Sequence, residues 1–150
     1  MSEPPREGDI EIVSLNVSDR KGVRKKPVES IVLVEGSGIA GDAHAGAIEN
    51  RQVSMLAFED IEGANEELKP GDFAENITTR GVRLHELPIG TKIELGETLL
   101  EVSKIGKECH AACEIRTLVG DCIMPRRGIF ARVLKGGEVS RADRGHYRIG

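Results

Sequence analysis

Residues 92–105 read KIELGETLLEVSKI. Apolar and polar residues alternate on both sides of Gly96–Glu97, and a two-residue glycine-bearing connection between two such runs is a strong local signal for a β-hairpin. The same alternation recurs in IEIVSLNV (10–17), with β-branched residues, and in VESIVLVEG (28–36), which ends among Gly36, Gly38 and Gly41. ENITTRGV (75–82) and the short apolar piece Val53–Leu56 add further strand signals. Helical spacing is confined to Met55, Phe58, Ile61 and Leu68, a run that Pro70–Gly71 stops. GIFARVL (128–134) is amphipathic and reads as one or two helical turns. No repeat and no sustained strand–helix alternation is present. The expectation is a mainly β domain with a few short helices, an antiparallel sandwich or barrel. Residues 10–150 form a single domain behind a disordered tail at 1–9.

At 150 residues the chain can bury a core without disulfide staples, and its three cysteines are an odd number. Free thiols in a reducing cytoplasm fit this better than an oxidised secreted domain. The formal net charge of −4 argues against nucleic acid as the main partner. No apolar run of about 18 residues suggests a membrane span, and MSEPPREGD has no apolar leader segment.

Three regions carry groups suited to chemistry. Arg20, Lys21, Arg24, Lys25 and Lys26 lie within seven residues around a glycine. They read either as a solvated loop at a sheet edge or as an anion site suited to a phosphate or pterin phosphate. In GIAGDAHAGAIENRQVSML (38–56), glycines permit close backbone approach, while Asp42 and His44 stand two apart and share a face if the backbone is extended. Arg51 and Ser54 add polar groups, and an ordinary turn with a surface histidine is the plainer reading. The third region, GKECHAACEIRTLVGDC (106–122), holds Cys109, Cys113, Cys122 and His110. Four zinc ligands are present in number, yet Cys109 and His110 are adjacent and no CxxC knuckle occurs. A disulfide, simple burial and a reactive thiolate activated by Lys107, Arg116, Arg126, Arg127 or Arg132 remain as alternatives.

GDAHAG (41–46) with QVSML (52–56), PGDFAENITTRG (70–81), LPIGTKIELGETLLEVSKIGKECHAAC (87–113) and GDCIMPRRGIFARVLKGGEV (120–139) together resemble a MOSC domain. The family is named after the C-terminal domain of molybdenum-cofactor sulfurases, and the resemblance runs from Ile12 to about Asp143, closest to the small stand-alone bacterial members. It implies a β-barrel of antiparallel or mixed strands with peripheral helices, and a cleft for molybdenum cofactor or for a sulfur group delivered to it. One cysteine is central. In larger relatives it ligates molybdenum and precedes two largely apolar residues, a pattern that Cys113–Glu114–Ile115 meets with a glutamate in the middle. The resemblance therefore places the metal-binding and persulfide role on Cys113, with Cys109 as helper and Cys122 as packing.

A thiolate is a soft donor suited to molybdenum and also holds sulfur as a persulfide. The phosphate of a molybdopterin would meet Arg20, Lys21, Arg24 and Lys25, and its pterin side Arg126, Arg127 or Arg132, with a helix N-terminus in PRRGIFARVL contributing. Asp42 and His44 would hydrogen-bond the cofactor or move a proton. Arg127 departs from the acidic residue expected there, which either frees an arginine for an anion or changes only the surface. The first function implied is a cofactor-binding or sulfur-carrier module, supplied by a donor such as a cysteine desulfurase and serving molybdoenzymes or cofactor biosynthesis. The second is a molybdenum-dependent reductase of N-hydroxylated compounds with an external electron donor, since no flavin, haem or iron–sulfur motif is present. A structural or regulatory protein with a vestigial cleft is the third. Pyridoxal phosphate, associated with the family, belongs to the aminotransferase-like domain of larger members, and no lysine here has a Schiff-base context.

Overall fold

A computed structural model describes residues 5–18, 25–42, 52–64, 69–71, 73, 75–105 and 127–149. Eleven strands are present among them: β1 (Glu7–Val17), β2 (Lys26–Val28), β3 (Ser30–Val34), β4 (Gly38–Ile39), β5 (Val53–Ala57), β6 (Ile77–Arg80), β7 (Lys92–Leu95), β8 (Thr98–Ile105), β9 (Ile129–Lys135), β10 (Gly137–Ser140) and β11 (Arg144–Arg148). One helix, α1 (Phe58–Ala64), follows β5, and a single 3-10 turn covers Leu84–Glu86.

The hairpin expected at 92–105 is β7–β8, in register from Lys92 opposite Glu101 to Leu95 opposite Thr98. Its connection is Gly96–Glu97, with Gly96 at φ 57° in the left-handed region that favours glycine. From this hairpin the sheet extends in the order β11-β7-β8-β9-β5-β6-β1, and β1 pairs with β11 to close it. The result is a seven-stranded barrel, with β2 added outside β1 and a separate three-stranded sheet β10-β3-β4. Every pairing is antiparallel except β5–β6. That pair requires a crossover, and α1 lies within it.

The barrel interior is aliphatic. Ile10, Ile12, Leu15, Met55, Ile77, Ile93, Leu95, Leu100, Val102, Ile129, Ala131 and Val133 join one buried cluster. Alternation along each strand sends these residues inward and their neighbours outward. On β1 the alternation changes phase at an irregularity between Ile12 and Ser14, so that Leu15 points inward. Ser14 and Asn16 then share the outer face, yet both are buried.

Three sequence expectations are corrected. GIFARVL is not helical: Ile129–Lys135 is β9, pairing with both β5 and β8. Its seven residues fit either period, and burial of Ile129, Ala131 and Val133 on one side selects the period of two. The strand expected from Ile10 begins at Glu7, which stands opposite Arg148. Met55 belongs to β5 rather than to the helix. No helix among the described residues is long and apolar enough to cross a membrane.

Candidate functional site

The outer face of β1, β6 and β5 carries polar residues where a half-exposed sheet would meet water, but here they are covered. Asn16, Asn76, Thr78 and Glu75 have no exposed surface. Buried polar groups of this kind must be hydrogen-bonded. Asn76 Nδ2 donates to the Asn16 carbonyl (3.2 Å), and its Oδ1 accepts from Ser54 N (3.0 Å) and Ser54 Oγ (3.1 Å). Asn16 Nδ2 donates to the Glu75 carbonyl (3.2 Å) and to Thr78 Oγ1 (3.1 Å), and Ser14 Oγ donates to Asn16 Oδ1 (2.7 Å). Three strands are thus braced by side chains as well as by their ladders.

The Glu75 carboxylate closes the turn that covers this face. Its Oε2 accepts from Gly71 N (2.9 Å) and Thr78 Oγ1 (2.7 Å), and its Oε1 accepts from Phe73 N (3.2 Å). Complete burial outweighs these bonds and pushes its pKa up to about 7. Gly71 has φ 91°, and a Cβ there would lie 2.3 Å from the Lys25 carbonyl oxygen, so the backbone of the turn passes directly against Lys25. The Lys25 amide donates in return to the Gly71 carbonyl (2.9 Å).

Lys25 and Asp42 form a buried ion pair at 2.8 Å, with each side chain 1% exposed. Asp42 Oδ1 also accepts from the Ser18 amide (3.0 Å). One carboxylate therefore ties together both edges of the basic stretch 19–24 and the start of residues 43–51. The strand register places this junction at the barrel end where β1 finishes and β5 and β6 begin.

Ile105 and Arg127, the described residues flanking the cysteine segment, lie toward the other end, where β8 finishes and β9 begins. Arg127 Nη1 meets His85 Nε2 at 2.7 Å. A guanidinium only donates, so His85 accepts there and carries its proton on Nδ1. His85 Nδ1 stands 4.0 Å from Asp60 Oδ2, and Arg127 Nε 4.0 Å from Asp60 Oδ1. Burial raises the Asp60 pKa against the opposing charge of Arg127. Arg127, which departs from the acidic residue expected there, is engaged by groups from α1 and the 3-10 turn.

Of the site residues expected from sequence, Lys25 and Asp42 are brought together. Arg132 lies elsewhere, on the outer face of β9, with its Nε 3.7 Å from Glu101, which also binds Lys92 at 2.6 Å. Arg20, Lys21, Arg24, His44, Cys109, Cys113 and Arg126 lie outside the described residues, as do Cys122, His110 and Arg51. Among the described residues no three His, Cys, Asp or Glu side chains converge as a metal site. Sequence reasoning did not single out Glu75, Asn76 or Asn16. Their one visible signal was polarity, on β1 for Asn16 and just before β6 for Glu75 and Asn76.

The family model for the MOSC domain matches residues 40–144. The chain belongs to the MOSC domain family. The match covers Asp42 and the whole cysteine segment, and the family is related to the C-terminal domain of molybdenum-cofactor sulfurases. The fold of this MOSC domain is similar to the crystal structure of the YuaD protein from Bacillus subtilis, with a TM-score of 0.80 over 96% of this chain and 98% of that one at 20% identity. It is also similar to YiiM from Geobacillus stearothermophilus (TM-score 0.68, 20% identity, 89% of this chain and 72% of that one). YiiM from Escherichia coli gives a TM-score of 0.69 at 18% identity over 93% of this chain and 69% of that one. No curated protein matches the chain.

Proposed function

We propose that this MOSC domain holds molybdenum cofactor, or sulfur destined for it, on a cysteine thiolate and passes the cargo to a partner molybdoenzyme or to cofactor biosynthesis. The observation that carries the reading is the family match across residues 40–144, which spans Cys109 and Cys113. The donor chemistry fits: thiols are soft ligands for molybdenum and acceptors for sulfur, and guanidinium and ammonium groups suit the phosphate of a molybdopterin.

The buried geometry supports a division of roles within that reading. Lys25 is neutralised by Asp42 at 2.8 Å and is shielded from solvent, so it positions the basic stretch rather than meeting a phosphate itself. Arg20, Lys21 and Arg24 are the cations left to bind that phosphate. Asp42 fixes the Ser18 amide on one side of the stretch and precedes His44 on the other. Cys113 is the thiolate that would hold molybdenum or a persulfide sulfur, with Cys109 beside it in sequence as acceptor or donor in exchange. Bound cofactor would supply the redox and sulfur chemistry; the chain would supply the thiolate and the cations.

Intact-protein mass spectrometry after incubation with a cysteine desulfurase and cysteine tests the carrier role. A gain of one sulfur atom, lost in Cys113→Ser and retained in Cys109→Ser, is the expected result. No gain in wild type, or equal gain in both variants, contradicts it. The same family match accommodates the second reading, reduction of N-hydroxylated compounds with an external electron donor. Cofactor-loaded protein that turns over such a compound would select it.

A further inference from the structure

His85 sits in the 3-10 turn between Leu84 and Leu87, both fully buried, so the backbone that carries the imidazole is held on either side. The ring stands between groups of opposite charge. Its Nε2 meets the Arg127 guanidinium at 2.7 Å. Its Nδ1 is buried without a hydrogen-bond partner among the described residues and faces Asp60 Oδ2 at 4.0 Å. Glu86 Oε2 lies 3.9 Å from Nε2 and is itself paired with Arg83 at 3.4 Å. Glu59, next to Asp60 on α1, is committed to the Gly81 amide at 3.0 Å. The ring therefore has two carboxylates within reach and, directly or through Glu86, two guanidinium groups. A neutral imidazole has one donor and one acceptor, and a guanidinium only donates, so the contact with Arg127 exists only while Nε2 carries no proton.

We infer that His85 is a proton-operated selector: neutral, it ties Arg127 to the 3-10 turn, and protonated, it gives up Arg127 and pairs with Asp60 and Glu86. A proton on Nε2 would lie between two N–H groups 2.7 Å apart and bring like charges into contact, so Arg127 has to leave. The imidazolium then has two donors, and the carboxylates that can accept from it are both within 4.0 Å. The step moves one proton from solvent to Nε2 and breaks no covalent bond. Arg127 favours the neutral ring and the two carboxylates favour the charged one, so proton uptake and release of Arg127 belong to one equilibrium. Imidazole is the side chain whose ordinary charge change falls between about pH 5 and 8. Arg127 lines a cavity of about 510 Å³ together with Arg83, Glu59, Asp60 and Gly81. Proton uptake frees the Arg127 guanidinium in that cavity and draws Asp60 toward the ring, which makes the cavity more positive. This holds whatever cargo the protein carries.

The test follows the His85 ring nitrogens and the Arg127 guanidinium of the full chain by heteronuclear NMR between about pH 5 and 8. At the upper end the expected ring is neutral with its proton on Nδ1. As the ring becomes an imidazolium, protection of the Arg127 guanidinium protons, taken relative to free arginine at the same pH, should fall by about tenfold, the loss of roughly one net hydrogen bond. Arg127→Gln removes the guanidinium and should let His85 take up its proton at a higher pH than in wild type. Asp60→Asn should delay uptake to a lower pH. In His85→Gln the protection of Arg127 should no longer change with pH. A neutral ring carrying its proton on Nε2 overturns the inference, as does a ring that stays neutral across the range. An imidazolium that forms with Arg127 protection unchanged also overturns it. The wild-type titration decides the matter by itself if a variant fails to fold.

Discussion

Changing Asp42 to Asn removes one charge of the buried pair and leaves the shape of the side chain, and its capacity to accept from Ser18 N, in place. At 2.8 Å and an effective dielectric of about 20, the attraction between the two charges is roughly 6 kcal/mol. Desolvation of both groups offsets much of that, so the pair adds little net stability over apolar residues of the same volume. Removing a single partner is different, because the other buried charge loses the opposite charge it meets at 2.8 Å. Asp42→Asn and Lys25→Met should each cost about 3–5 kcal/mol in urea unfolding. Lys25→Met/Asp42→Asn should cost about 2–3 kcal/mol less than the sum of the two, the signature of direct coupling. With 1% exposure at each side chain, raising the salt concentration to about 1 M should change little. Single-variant losses below about 1 kcal/mol, additive losses, or strong salt dependence would mark the pair as a surface interaction and refute the reasoning.

Other expectations follow from the same geometry. Glu75 has a folded-state pKa raised to about 7 from 4.5, so its contribution to stability is fully present below the lower value and is lost as pH rises through the higher one; denaturation from about pH 5 to 8 should show a decline of about 3 kcal/mol that is absent in Glu75→Gln. Asn76→Ala should cost more than about 2 kcal/mol in the same assay, since it removes the side-chain acceptor of Ser54 N and the donor to the Asn16 carbonyl in the interior. Gly71→Ala should lower the melting temperature and cost more than about 2 kcal/mol, because φ 91° is strained for alanine and its Cβ would meet the Lys25 carbonyl. Glu101→Gln, on the outer wall beside Lys92 and Arg132, should change stability by less than about 1 kcal/mol.

The β7–β8 hairpin was legible because its two alternating runs meet at a glycine-bearing turn, so one local rule defines both the strands and their register. GIFARVL misled for the opposite reason. Seven amphipathic residues satisfy either period, and only pairing with β5 and β8 decides between them. The parallel β5–β6 pair was likewise invisible, since direction depends on a crossover that local pattern does not encode. At the candidate site, the polarity of Asp42 and Lys25 drew notice separately, while their pairing across seventeen positions is a property of the fold. Asn16, Glu75 and Asn76 escaped notice because outward polar residues on strands are ordinary. What makes them unusual is their complete burial. The residues offered a free thiol with cations nearby, its cargo came from resemblance alone, and Cys109 and Cys113 lie outside the described residues.

Molybdenum and pterin analysis of protein purified from a host that makes the cofactor tests the central claim most directly, with wild type, Cys113→Ser and Cys109→Ser measured side by side. The account predicts molybdenum and pterin in wild type and Cys109→Ser and their loss in Cys113→Ser. Equal retention in both variants, or stoichiometric zinc in place of molybdenum, would contradict it.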